Sequence, residues 1–174
     1  SSAEVVAHPV HDAYPKIVVG AQHLVRRANR IDSGQVPGIP LVRAVHAEHD
    51  GGRGPLGASG ELGFVITGSQ TVYFAGDTDL FDGLAELGPI DLALVPVAGW
   101  GSKVGPGHLD PERAAEAIRR LQPRVAVPIH WGTLAPMGRA PDLDSPHEFA
   151  RRAAELAPDV EVRILEPGAT LELI

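Results

Sequence analysis

One aspartate and several histidines sit where apolar runs of this chain stop, and that placement gives them chemistry. Asp77 follows the run TVYFA at 71–75 and a single glycine, Gly76. The run is rich in β-formers and carries no charge, so it reads as a buried strand whose tip turns a carboxylate outward. Thr78 and Asp79 beside it could hydrogen-bond that carboxylate or cap a following helix, and Asp77 alone serves equally well as a turn residue. His49 lies just past a second run, 41–47, and His130 ends a third, 124–129. Neighbouring strands lie about 5 Å apart, so residues at one edge of a sheet can converge on one ion. Imidazole nitrogen and carboxylate oxygen suit zinc, manganese or iron, and an aspartate can bridge two such ions. Any one of these histidines could also be a polar strand end meeting solvent, which is the reading for His23, His46 and His147.

Composition narrows the chemistry further. The 174 residues read as one domain, 1–174, long enough to bury a core, with 44% hydrophobic and 21% charged residues as in an ordinary globular protein. A net charge of −7 argues against nucleic acid as the main partner and leaves a small-molecule substrate, anionic ones included. The chain has no cysteine, so disulfides, thiolate metal sites and cysteine nucleophiles are excluded within it, and a zinc ion must be held by histidine and carboxylate. No run has the length of a transmembrane helix and no signal peptide is read, so a cytoplasmic location is the expectation, with homo-oligomerisation left open.

The elements that position these residues follow from periodicity and punctuation. Strands are expected at 3–7, 16–20, 41–47, 62–67, 71–75, 90–97, 124–129, 160–165 and 171–174, with a hairpin turn at 68–70. A helix is expected over 21–30. A second, short one should be capped by Asp79 and carry Leu80, Phe81, Leu84 and Leu87. The clearest helix begins at Asp110 and Pro111, a capping aspartate followed by proline at the first helical position, with Ala114, Ala117, Ile118 and Leu121 on one face. A last helix opens with a capping box at Ser145 and Glu148. A glycine-rich loop over 51–60 directly follows His49, where a flap over a site would lie, and a second glycine-rich loop runs from 99 to His108. The alternation of strand and helix in the second half predicts an α/β arrangement in layers.

Four motifs in order, HAEH at 46–49, YFAGDT at 73–78, GHLDPERA at 107–114 and PIHWGT at 128–133, resemble the metallo-β-lactamase fold superfamily. More narrowly they look like the branch of the ascorbate-phosphate lactonases and the N-acyl-phosphatidylethanolamine-hydrolysing phospholipase D. The resemblance implies an αββα sandwich and a hydrolase that directs a metal-activated hydroxide at an ester-type bond, a phosphodiester or a lactone. It places one or two divalent ions, zinc or else manganese or iron, with His49, Asp77 and His130 as metal ligands. His108 matches a histidine near the substrate that donates a proton or faces an oxyanion, so the catalytic groups it implies are His108 and Asp77.

The family's first metal motif, HxHxDH, is absent, and so is the sheet layer before it. Its nearest counterpart is the stretch 5–12, with His8, His11 and Asp12 in altered spacing and too few residues after Asp12 for the helix that should follow. The chain therefore reads mostly as the C-terminal portion of the fold, lacking part of its N-terminal half. A non-catalytic or truncated module with weak or no metal binding is the alternative to the enzyme.

Overall fold

The structure is a computed structural model that describes residues 3–6, 40–49, 62–97, 107–132, 141–166 and 168–173. The expected strand at 16–20, the helix over 21–30, the loop at 51–60, and His8, His11, Asp12 and His23 lie outside the described residues. Eight strands are present among those described: β1 (Ala3–Val6), β2 (Leu41–His46), β3 (Leu62–Thr67), β4 (Thr71–Phe74), β5 (Leu92–Pro96), β6 (Val125–Ile129), β7 (Glu161–Val162) and β8 (Thr170–Leu173). Helix α1 spans Pro111–Leu121 and α2 spans Ser145–Leu156, and a short 3-10 helix covers Asp82–Glu86.

Strands β2 to β7 form one six-stranded sheet in chain order, antiparallel from β2 through β4 and parallel from β4 through β7. The 68–70 turn makes β3 and β4 a hairpin. Each later strand needs a crossover, supplied by the 3-10 helix, α1 and α2. Because β2, β4, β5 and β6 all point the same way, their C-terminal tips share one edge. At the opposite edge the Asp91 carboxylate accepts from the Thr71 N–H at 2.7 Å, which explains the one acidic residue opening an otherwise apolar strand.

Strand alternation divides the apolar residues between two faces. Val65, Tyr73, Ala93, Val95 and Ala126 meet the helices, in a core with Leu84, Ile118 and Phe149. Leu92, Val125 and Val127 face the other way, against Leu171 and Leu173 of β8, which pairs with β1 in a separate two-stranded sheet. The described residues thus stack as helix layer, six-stranded sheet and second sheet. Small residues set the spacing of the helix layer: α1 buries Ala114, Ala115 and Ala117 beside Ile118 and Leu121, and packs on α2.

Helix ends agree with the sequence at one place and depart from it at two. Asp110 accepts from the Arg113 N–H at 2.8 Å and Pro111 takes the first helical position, as expected. At α2 the expected capping box does not form. Ser145 is already helical, and Asp142 does the capping, accepting from the N–H groups of Asp144 and Ser145 and from the Ser145 hydroxyl. Glu148 instead pairs with Arg151 and Arg152 one turn on. Asp79 caps nothing either: the 3-10 helix starts after Phe81 with no side-chain cap, because the Asp79 carboxylate is engaged elsewhere.

Two stability predictions follow from these contacts. Asp142→Ala should cost about 1–2 kcal/mol in urea unfolding, whereas Asp144→Ala, which removes no cap bond, should fall within about 0.5 kcal/mol of the parent. Gly76, where the chain leaves β4, has φ +69, and a Cβ there would lie 3.1 Å from the Leu62 carbonyl oxygen. Gly76→Ala should lower the unfolding midpoint by more than either cap variant, since backbone on both sides must shift.

Candidate metal centre

The shared edge of β2, β4, β5 and β6 carries the chemistry-bearing residues. Asp77 projects just beyond β4, after the left-handed Gly76, with its side chain 44% exposed. His49 lies three residues past the end of β2 and His108 just before α1. His130 directly follows β6 with φ 62, a left-handed conformation that a non-glycine residue adopts at a cost. Gly132, two residues on, has φ +72, and the Trp131 indole N–H donates to the Pro128 carbonyl at 3.0 Å, fixing the turn.

The rings close on the carboxylate from three sides. His49 Nε2 lies 3.5 Å and His108 Nε2 3.3 Å from Asp77 Oδ2, and the two Nε2 atoms are 3.3 Å apart. The rings of His49 and His108 meet edge to face, with centroids 4.7 Å apart. His130 approaches the other carboxylate oxygen, its Nδ1 standing 4.0 Å from Asp77 Oδ1. Burial pushes the His130 pKa below the ordinary histidine value; the Asp77 charge opposes that shift and His108 adds to it. His46 and His147 are exposed at the surface, and His46 pairs with Glu48 at 3.1 Å.

Backbone and hydroxyl contacts bring His49 to Asp77. Beyond β3, Glu48 and Asp79 form an isolated antiparallel bridge in which the Asp79 N–H donates to the Glu48 carbonyl. The buried Thr78 hydroxyl accepts from the Glu48 N–H at 2.9 Å. Asp79, also buried, accepts from the N–H groups of Leu80 at 2.7 Å and Gly107 at 3.2 Å and pairs with the Arg113 guanidinium. By sequence Thr78 and Asp79 read as partners of Asp77 or as helix caps, and Arg113 does not stand out. Two polar residues directly after a strand-end aspartate were the available signal, but their partners lie about 30 residues away on either side.

The donor atoms suit a divalent cation. His49 Nε2, Asp77 Oδ2 and His108 Nε2 all lie within 4.8 Å of one another. With metal–ligand bonds of about 2.0–2.1 Å, the corners of a tetrahedral site stand about 3.3–3.4 Å apart, close to these separations. Among the described residues His49 Nδ1 is buried with no hydrogen-bond partner.

Comparison with known proteins agrees with this architecture. A family profile described as "Beta-lactamase superfamily domain" matches residues 5–131. A UPF0173 metal-dependent hydrolase of Methanopyrus kandleri is 37% identical over 139 residues, 77% of this chain and 56% of that protein. One from Nanoarchaeum equitans is 36% identical over 82% of this chain and 61% of its own length. The chain thus spans little more than half the length of the curated relatives it matches. Among solved structures, Igni18, a metallo hydrolase from the archaeon Ignicoccus hospitalis, superposes with a TM-score of 0.61 at 25% identity, covering 97% of this chain and 78% of that one. The metallo-beta-lactamase fold protein YhfI from Bacillus subtilis superposes with a TM-score of 0.56 at 17% identity, covering 95% of this chain and 75% of its own. The profile match over most of the length, on a sheet with helices on one face and a second sheet on the other, means that the chain belongs to the beta-lactamase superfamily and has the metallo-β-lactamase fold.

Proposed function

We propose that this chain carries the metal-binding edge of a metal-dependent hydrolase acting on a small molecule with an ester-type bond, a phosphodiester or a lactone. The observation that carries the reading is the meeting of three imidazoles on the Asp77 carboxylate at the C-terminal ends of parallel strands. In this reading His49, Asp77 and His130 would hold one or two divalent ions, zinc or else manganese or iron. The cation supplies Lewis acidity and makes water acidic enough to attack near neutral pH.

The chain's own residues supply the rest. Asp77 neutralises charge and fixes the direction of its neighbours. His130, held toward its neutral form by burial, offers a ring lone pair. His108 Nε2 stands 3.3 Å from Asp77 Oδ2, and in this reading the His108 ring is the group that passes a proton to a leaving oxygen.

One observation favours a second assignment within the same reading. The triangle of His49, Asp77 and His108 has the spacing of three corners of a tetrahedron, which makes His108 the third ligand and leaves His130 behind Asp77. Metal content of single variants separates the two. If His130 is the ligand, His130→Ala should lose zinc and His108→Ala keep it, while turnover of a phosphodiester or lactone probe in His108→Ala falls about a hundredfold or more. The reverse pattern of metal loss would make His108 the ligand.

Asp77→Asn keeps the shape and removes the charge common to both assignments. Elemental analysis should show metal content falling sharply, with the unfolding midpoint nearly unchanged because the residue stands at the sheet edge. Parent protein with no metal after purification in zinc would favour the alternative, a non-catalytic module.

A further inference from the structure

The segments that carry His49, Asp77 and His108 meet at one residue outside that set. Asp79 stands two positions beyond Asp77. Its N–H donates to the Glu48 carbonyl, next to His49. Its Oδ2 accepts from the Gly107 N–H at 3.2 Å, next to His108. Its Oδ1 accepts from the Leu80 N–H at 2.7 Å and pairs with Arg113 in the first turn of α1. Arg113 is itself fixed, since its N–H donates to Asp110 at 2.8 Å. The carboxylate is only 7% exposed as a residue, and burying a charge is costly unless partners compensate it, as these do. Gly107 has φ +87, a conformation that glycine takes without strain, and there its N–H points at Asp79 while the next residue, His108, turns toward Asp77.

We propose that Asp79 is a positioning residue whose carboxylate holds the His108 segment in register with Asp77 and His49. Its meaning for catalysis rests on the proposed reading of the site; the placement itself does not. Only a carboxylate serves, because both oxygens must accept: Oδ2 from Gly107, Oδ1 from Leu80 and Arg113. In Asp79→Asn the amide has the same size, but its NH2 must face either a peptide N–H or a guanidinium.

The test uses ring 1H–15N correlations of the histidines in the metal-free chain, assigned with single His→Ala variants. In Asp79→Asn the signals of His108 and His49 should shift as their 3.3 Å contact is lost, while those of the exposed His147 stay in place. Arg113→Lys, which keeps a cation on α1, should leave all of them near the parent positions. A role confined to stability would lower the unfolding midpoint and leave the ring signals of the folded protein unmoved, and that result overturns the inference. Should Asp79→Asn fail to fold, Arg113→Gln removes the charge partner from a partly exposed position and should shift the same two rings by a smaller amount; unmoved rings there also overturn it. Cobalt(II) uptake by the parent chain is read separately. A chain that takes up no cobalt(II) removes the metal reading of the site, and the ring signals still decide the role of Asp79.

Discussion

Strands β2 and β4 are not neighbours: β3 lies between them, and two strands separated by a third stand about 10 Å apart. His49 and Asp77, at the tips of those two strands, nonetheless come within 3.5 Å. The gap closes because the chain beyond β2 bends over the end of β3 and pairs directly with the chain beyond β4, through Glu48 and Asp79. Thr78 reinforces the crossing from within the core, taking the Glu48 N–H onto its hydroxyl. Backbone hydrogen bonds therefore bring these two donors together, a construction that asks nothing of an ion.

The same distance problem recurs on the other side of β4. His130 belongs to β6, again two strands away, and it reaches back through a left-handed backbone rather than a bridge. His108 needs no such bend, because it lies on the segment that returns from β5 into α1. Asp77 stands where these routes converge, exposed enough to meet a ligand, while the rings around it are largely covered. A carboxylate among imidazoles at the open end of parallel strands is where α/β sheets generally place ligands.

Features set by neighbours in the chain were legible in the sequence. The strand at 71–74, its hairpin partner and the α1 start at Asp110 and Pro111 follow from β-branched runs, a short turn and a local cap, and the structure has all of them. Features decided by distant partners were not. Asp79 looked like a cap because an apolar helical pattern follows it, but Arg113, thirty-four residues on, and the Gly107 N–H take its carboxylate. Ser145 and Glu148 have capping-box spacing, yet Asp142 reaches the helix start first and Glu148 gains more from two arginines on its own helix. His49, Asp77 and His130 stood out as residues at strand ends and His108 only through the family resemblance, and the structure brings the four side chains together. Which ring sits closest to His49 could not be read from the sequence, because that depends on where the 107–110 segment is tied down.

The Asp91 to Thr71 contact gives the molecule a second pole. It fastens the start of β4 to the start of β5 at the edge farthest from Asp77, roughly 20 Å away along six residues of extended chain. The exposed turn beside it, at 68–70, lies at that far edge, at the opposite end of β4 from Asp77. That turn is consequently a natural handle: a fluorophore, an affinity peptide or a surface tether attached there would leave the opposite end open to whatever the protein meets in solution.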